Sequence, residues 1–525
     1  MFRKALLIGA AFVATPAMAQ DWWVAESDHF RVVSEGGKEM ASEVATSLER
    51  LDQSLRLFRG MPLDEGEVSE SEKVTIYQTG TTSDIGDLAY SNGVAGFFSP
   101  RAGNSVAFVP AEKERRSRGR LGTRQETGTD LNPGQVLFHE YAHYFSRQHA
   151  PAAYPFWYSE GFAELFATIR FRDDGFNLGE PPRYRDFVLS QLSFDVEDIL
   201  DLDTEEGRVN GMDIARQYAF GWMFTSYLTF EPSRQGQLAQ YLRLVNGGKP
   251  NLEAAREAFG DLRQLQRDLE KYHRGRARAI AVDFPAGSAP DIELTQLDAA
   301  GAAAMPIHIR STAGVNKKNA GEVAEKARAL VAQYPQSPMV LDTAMEAEFD
   351  AENYASATSL ANRLAAVDSE TIRPHLYLAR IAFEEAKTDP AKVAEARKHL
   401  VTANQMDPNR PDVLQAYFDS FVYAGEAIPE DARVGLEQAF RIAPFDIGIR
   451  RSLAYLLLLE KRDREALIIL GPVVNLPHAS GDEIKELREM VKQAEAGDSA
   501  ALLEELRPKI DDEDEDEDED LRTVS

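Results

Sequence analysis

The stretch from His139 to Glu164, HEYAHYFSRQHAPAAYPFWYSEGFAE, leaves this chain the fewest choices. His139 and His143 are four residues apart, so on a helix they share a face and aim both imidazoles the same way. Glu140 lies about 100° further round, where a carboxylate can act on a metal-held water without ligating the metal. Asn132 suits the cap of such a helix and Pro133 its first position, while Val136, Leu137, Ala142 and Phe145 give it an apolar side. After the break at 150–155 a second helix is expected from near Trp157, with Glu160 and Glu164 one turn apart. Two antiparallel helices joined this closely can bring Glu160 to the histidines, giving three protein ligands and an open fourth position, the arrangement of a catalytic zinc site. His149, six residues after His143, is the competing third ligand, in the spacing H-E-x-x-H-x-x-G-x-x-H. That pattern needs a glycine for its sharp turn, whereas Ser146, Arg147 and Gln148 continue the helix. His149 then reads as a residue at the helix C-terminus, where partial positive charge is favoured.

There is no cysteine, so a metal must be held by histidine and carboxylate. At 525 residues the chain exceeds one hydrophobic core and should form two or three domains. A formal net charge of −28 argues against nucleic acid as the main partner. Part of that charge is the run of ten acids from Asp511 to Asp520, a self-repelling segment that reads as a disordered tail over 509–525. At the other end, Arg3 and Lys4, an apolar run from Ala5 to Val13, and Ala17-Met18-Ala19 read as a cleavable signal peptide over 1–19. The protein is therefore expected in a bacterial periplasm or outside the cell. No later apolar run approaches the ~20 residues of a membrane span.

HEYAH followed by SEGFAE is similar to the gluzincin metallopeptidases, in particular the peptidase MA-like families whose third ligand sits in an EGFA segment. The resemblance implies a zincin-like α+β domain, a Zn2+ ion held by His139, His143 and Glu160, and Glu140 as catalytic base. Relatives often carry an aspartate four residues after the third ligand, bonded to the first histidine. Glu164 stands at that position and is expected to support His139. QYAFGWMFTSYL resembles the segment that carries an oxyanion-stabilising tyrosine, which points to Tyr218.

Along the chain, residues 20–131 read as an α/β subdomain: strands at His29–Val33, Lys73–Tyr77, Val94–Phe98 and Ser105–Pro110, and a helix over Met40–Phe58. In zincin-type peptidases an extended substrate lies along an edge strand of this sheet; Ser105 to Val109 is the candidate, an ordinary core strand being the alternative. Glu112–Asp130, with Arg115, Arg116, Arg118 and Arg120, reads as a solvated loop, a mobile flap near the cleft that attracts acidic substrate being the alternative. Residues 132–285 are expected to be helical, including one amphipathic helix over Leu252–Tyr272 and an aromatic stripe of core type around Tyr218. Residues 286–318, with a strand-like piece at Ile307–Ile309, read as a linker.

From 319 to 508 helical segments recur, ending at Pro335, Ser369, Pro408 and Pro444, separated by 34, 39 and 36 residues. The period resembles tetratricopeptide repeats, with an insertion near Thr388–Lys392. Such an array presents a concave surface to peptides or proteins. The whole reads as an exported zinc peptidase with a peptide or protein substrate and partners recruited by the repeats. The alternative is a non-catalytic envelope scaffold that uses the repeats alone.

Overall fold

The structure, a computed structural model, describes residues 21–510 except 64, 65, 67, 92, 93, 112–132, 151, 203–210, 276, 277 and 476–481, and also residues 523 and 524. The expected signal peptide, the expected cap at Asn132, the arginine-rich stretch and the acidic run lie outside the described residues. The described chain is mostly helical, with a small mixed sheet and a TPR-like helical region.

The first part runs β1 (Trp23–Glu26), β2 (Phe30–Ser34), α1 (Lys38–Arg59), β3 (Val74–Gln78), α2 (Thr82–Leu88), β4 (Phe97–Ser99) and β5 (Val106–Val109). It continues through α3 (Pro133–His149), α4 (Phe156–Ala167), β6 (Arg170–Arg172), β7 (Gly175–Leu178), α5 (Asp186–Gln191), α6 (Val196–Leu200) and α7 (Gly211–Phe230). Then come α8 (Gln237–Asn246), α9 (Asn251–Phe259), α10 (Leu262–Arg274), β8 (Ile280–Asp283), β9 (Glu293–Gln296) and α11 (Ala299–Thr312). A short final strand, β10, comprises Thr523–Val524.

The main sheet has the order β10-β4-β5-β3-β2-β1-β9. β3 pairs in parallel with β2 and β5, and the other pairs are antiparallel. Successive side chains leave a strand on opposite faces, and three neighbouring strands use this in step. Val32, Ile76 and Ala107 join α1 and α3 in one core; Val33, Tyr77 and Phe108 join Ala302, Met305 and Ile309 of α11 in another. Strands covered on both faces read as near-continuous apolar runs, which is why β2, β3 and β5 were legible in the sequence. On α1, Ala41, Ala45, Leu48, Leu51 and Leu55 form the buried stripe.

Several expectations are corrected. Residues 286–318 are not a linker: β9 closes the sheet against β1, and α11 covers its back face. Ile307 to Ile309 lie within α11 and not in a strand. Ser105–Val109 is not an edge, because β5 pairs with β3 on one side and β4 on the other; β10 lies outside β4, Val524 opposite Phe97. The helical stretch 132–285 contains a second sheet, β6-β7-β8. Leu252–Tyr272 is two helices, broken where Gly260 takes φ 84° and Asp261 caps α10 through the Arg263 N–H.

The remainder is an array of consecutive packed helices: α12 (Ala320–Gln333), α13 (Pro338–Asp350), α14 (Tyr354–Val367), α15 (Arg373–Ala386), α16 (Val393–Met406) and α17 (Pro411–Tyr423). It ends with α18 (Glu430–Ile442), α19 (Ile447–Leu459), α20 (Asp463–Val474), α21 (Asp482–Glu495) and α22 (Ala500–Glu505). Pro335, Ser369, Pro408 and Pro444 each follow a helix end directly, and the next helix then starts, three times with proline in its first turn. Alanines 324, 327, 344, 347, 357 and 361 are buried where helices meet. The array packs back onto the first part: the Phe445 and Tyr144 rings meet tilted at 5.0 Å, Gln148 donates to the Ile442 carbonyl at 2.8 Å, and Arg410 donates to Asn104 at 3.1 Å. No helix among the described residues is long and apolar enough to cross a membrane.

Inside the array Asp419 is buried on α17, accepting from Ser452 at 2.9 Å. Burial pushes its carboxyl up to about 7, against hydrogen bonds from Ser452 and Gln415 that act the other way. A carboxyl held protonated by the fold stabilises it fully below the unfolded value, and that contribution falls as pH rises toward the folded value. The rise from 3.8 to about 7 is worth on the order of 4 kcal/mol at high pH. Asp419→Asn should therefore unfold at the same temperature as wild type at pH 4 and at a higher one at pH 8; thermal melts across that range check it.

Candidate metal centre

α3 and α4 bring the sequence-predicted ligands together. His139 and His143 share a face of α3, and the chain turns back through 150–155 so that α4 lies alongside. The Nε2 atoms of His139 and His143 are 3.1 Å apart, and Glu160 Oε2 lies 3.3 Å from the first and 3.4 Å from the second. All three side chains are buried. Bonds of the length found in His and carboxylate zinc sites give a tetrahedron with edges of roughly 3.3–3.5 Å, so the three donors stand at the separations one ion imposes. Glu140 is buried beside them, and its Oε2 has no hydrogen-bond partner among the described residues. An orphaned buried carboxylate oxygen is costly, and a water on the fourth position of an ion would satisfy it. The donor set therefore fits a zinc ion.

The electrostatics agree. Burial lowers the basicity of both imidazoles; at His139 the hydrogen bond and charge of Glu160 outweigh it, and at His143 they do not. The net shift is upward at His139 and downward at His143.

What places Glu160 is a contact between backbones. A Cβ on Gly161 would stand 2.2 Å from the Gly221 carbonyl oxygen, and one on Gly221 would stand 2.4 Å from that of Trp157. The paired glycines let α4 and α7 approach without side chains between them. One turn before Gly221, Tyr218 is thereby set over the cluster, its ring stacked on His139 at 5.7 Å and 15°. Burial, then the charges of Glu160 and Glu140, raise the Tyr218 hydroxyl well above its ordinary value. It remains a donor, with no hydrogen-bond partner among the described residues.

Glu164 differs from expectation. Its carboxylate receives Arg185 Nε and Nη2 at 3.0 and 2.7 Å and the Tyr184 hydroxyl, and makes no hydrogen bond to His139. Two guanidinium N–H groups converge on Glu164 Oε1 and the Tyr184 hydroxyl donates to Oε2, together a stronger set of partners for a buried carboxylate than one imidazole N–H. The Arg185 guanidinium also lies 4.6 Å from the Tyr218 ring, so Glu164 braces the tyrosine through Arg185. Tyr184 and Arg185 carried no sequence signal, since they follow the β6–β7 hairpin with no fixed spacing to the metal motif. Ser159, 3.3 Å from His143 Nδ1, orients that ring. His149 ends α3 with its ring on Phe145 at 4.4 Å, outside the ligand cluster.

No protein-family profile matches the chain, and no curated protein does. Among solved structures, a thermophilic TPR protein of Thermus thermophilus is matched at 16% identity over 36% of this chain and 100% of that one, with a TM-score of 0.30. A likeness of that size carries no argument about function.

Gly161→Ala adds a methyl group where the Gly221 carbonyl stands. It should destabilise the protein by roughly 1–3 kcal/mol and lower zinc content by moving Glu160. Melting temperature and metal analysis check both, and an unchanged melting temperature would refute the backbone contact.

Proposed function

We propose that the protein is a zinc-dependent peptidase of gluzincin type, working on an exported peptide or protein substrate, with the helical array binding protein partners or substrate. The observation that carries this reading is the triad of buried donors at 3.1, 3.3 and 3.4 Å with the unpartnered Glu140 oxygen beside it. His139, His143 and Glu160 would hold the ion, which when bound supplies Lewis acidity toward the scissile carbonyl and its attacking water. Glu140 accepts the proton of that water as it adds to the carbonyl carbon, then delivers it to the departing amine. Tyr218 donates to the oxygen on which negative charge develops, and Arg185, fixed by Glu164, holds the Tyr218 ring in place. The exported setting rests on the N-terminal residues 1–19.

Peptide-library cleavage with and without chelator, run beside variants, tests this. Glu140→Gln should abolish cleavage and keep about one zinc per chain. Tyr218→Phe should lower kcat by ~10²- to 10³-fold with zinc retained, and His143→Ala should lose the metal. Cleavage that survives Glu140→Gln would sink the mechanism. A protein that purifies without zinc and cleaves nothing would support the scaffold reading, in which the array alone functions.

A further inference from the structure

Beside the cluster lies a cleft with one wall from α3 and α4 and the other from α19 and α20 of the array. It reaches His143 and Ser159 on the first wall and Phe445, Ile447, Arg450 and Val473 on the second. The repeats are thus part of the site itself, fixed there by the Tyr144–Phe445 and Gln148–Ile442 contacts.

The charge of this cleft runs against that of the chain. In a protein of net charge −28 it is lined by two guanidinium groups and, among the described residues, by no Asp or Glu. Arg147 follows His143 by one turn and so continues the His139–His143 face of α3. It is half-buried and has no ion-pair or hydrogen-bond partner among the described residues, although burial weakens its hold on the proton. The charges of Glu140 and Glu160 act on it through space against that burial. Arg450 is buried on α19; its Nε and Nη1 donate to the carbonyls of Pro444 and Ile469 at 2.6 and 2.7 Å, and its Nη2 has no protein partner among the described residues. The carboxylate that acts on it, Asp446, caps α19 through the Ile449 N–H. Ser146 adds a third donor: it lines the cleft, is 8% exposed, and its Oγ has no hydrogen-bond partner among the described residues. Two desolvated cations and an unsatisfied hydroxyl around one space, with no acid lining it to answer them, describe a receptor for an anion. Tyr154, Tyr158 and Phe162 form an apolar remainder that suits a peptide more than a small inorganic ion.

We propose that this cleft binds the carboxylate of a peptide, with Arg147 as the principal specificity residue and Arg450 and Ser146 as supporting donors. The ligand is either an acidic side chain or the free C-terminal carboxylate, both of the same chemistry. As a statement about substrate class this rests on the peptidase reading, but binding can be measured apart from turnover.

The test uses the full-length Glu140→Gln protein and three fluorescein-labelled pentapeptide mixtures: one with a free C-terminal carboxylate, one amidated, and one amidated with a glutamate. Fluorescence anisotropy should show at least tenfold tighter binding of one or both carboxylate-bearing sets than of the neutral amides, and which set binds identifies the source. Arg147→Gln, added to this protein, should remove that preference with zinc content and melting temperature unchanged, and Arg147→Lys should restore part of it. Equal binding of all three sets, no binding of any, or a preference that survives Arg147→Gln would overturn the proposal. Cleavage of the same mixtures by wild type is scored separately: carboxylate-selective binding without cleavage would count against the peptidase and leave the pocket standing.

Discussion

A buried carboxylate needs a positive charge, and α4 contains two carboxylates in an otherwise apolar turn sequence. Glu164 is answered within the chain by Arg185. Glu160 Oε2 faces two imidazole nitrogens at 3.3 and 3.4 Å, groups that burial itself tends to leave neutral. That imbalance is the constraint from which the site follows. A divalent ion between the three groups would turn a desolvation penalty into a set of bonds, and its binding would then contribute to folding as well as to chemistry. The rest of the neighbourhood makes the imbalance rigid. Tyr141 ties α3 to α1 through Asp52 at 2.8 Å, and the Gly161–Gly221 contact leaves α4 little room to slide along α7.

The packing of the helical array changes what kind of molecule this is. A repeat region on a flexible linker would deliver partners to a site without shaping it. Here α11 belongs both to the sheet, through Met305 and Ile309, and to the beginning of the array, against α13. The far end of the array returns to α3 through Phe445 and Ile442. The array is therefore held to the first part at its beginning and again at the α18–α19 connection, and α19 and α20 line the cleft opposite α3 and α4.

How much of this was legible depended on whether the deciding contacts were local. His139, Glu140 and His143 could be placed because helical geometry alone fixes their mutual positions. Glu160 could be placed because a short break leaves α4 few directions. Tyr218 lay beyond such reasoning and was found through resemblance, and the Gly161–Gly221 contact that brings it near depends on two helices 60 residues apart in sequence. Glu164 was misassigned for the complementary reason: its partners Tyr184 and Arg185 arrive by way of a hairpin whose path no local pattern announces. The same holds for β9 and α11. The run Ala299 to Ala304 looks like connector composition, yet small side chains are what a helix needs to lie close on a sheet carrying Tyr77, Phe97 and Phe108. The helical array was legible by period, because a short break, with proline at three of its four boundaries, follows each second helix whatever the array packs against.

The distribution of charge gives the cleft a direction. Chain-wide negative charge repels acidic ligands at long range, so an acidic peptide gains little from steering. Recognition must then come at short range, where water is excluded and a guanidinium at a half-apolar wall interacts with a carboxylate far more strongly than it would in solvent. Such a site discriminates by what it leaves unpaired. Under the proposed reading a neutral peptide would leave Arg147, the Nη2 of Arg450 and the Ser146 hydroxyl unpaired, and the cost of unpaired donors would select against it. Because Arg147 and His143 sit one turn apart on α3, the proposed selection would act next to the His139–His143–Glu160 cluster, on the same helix.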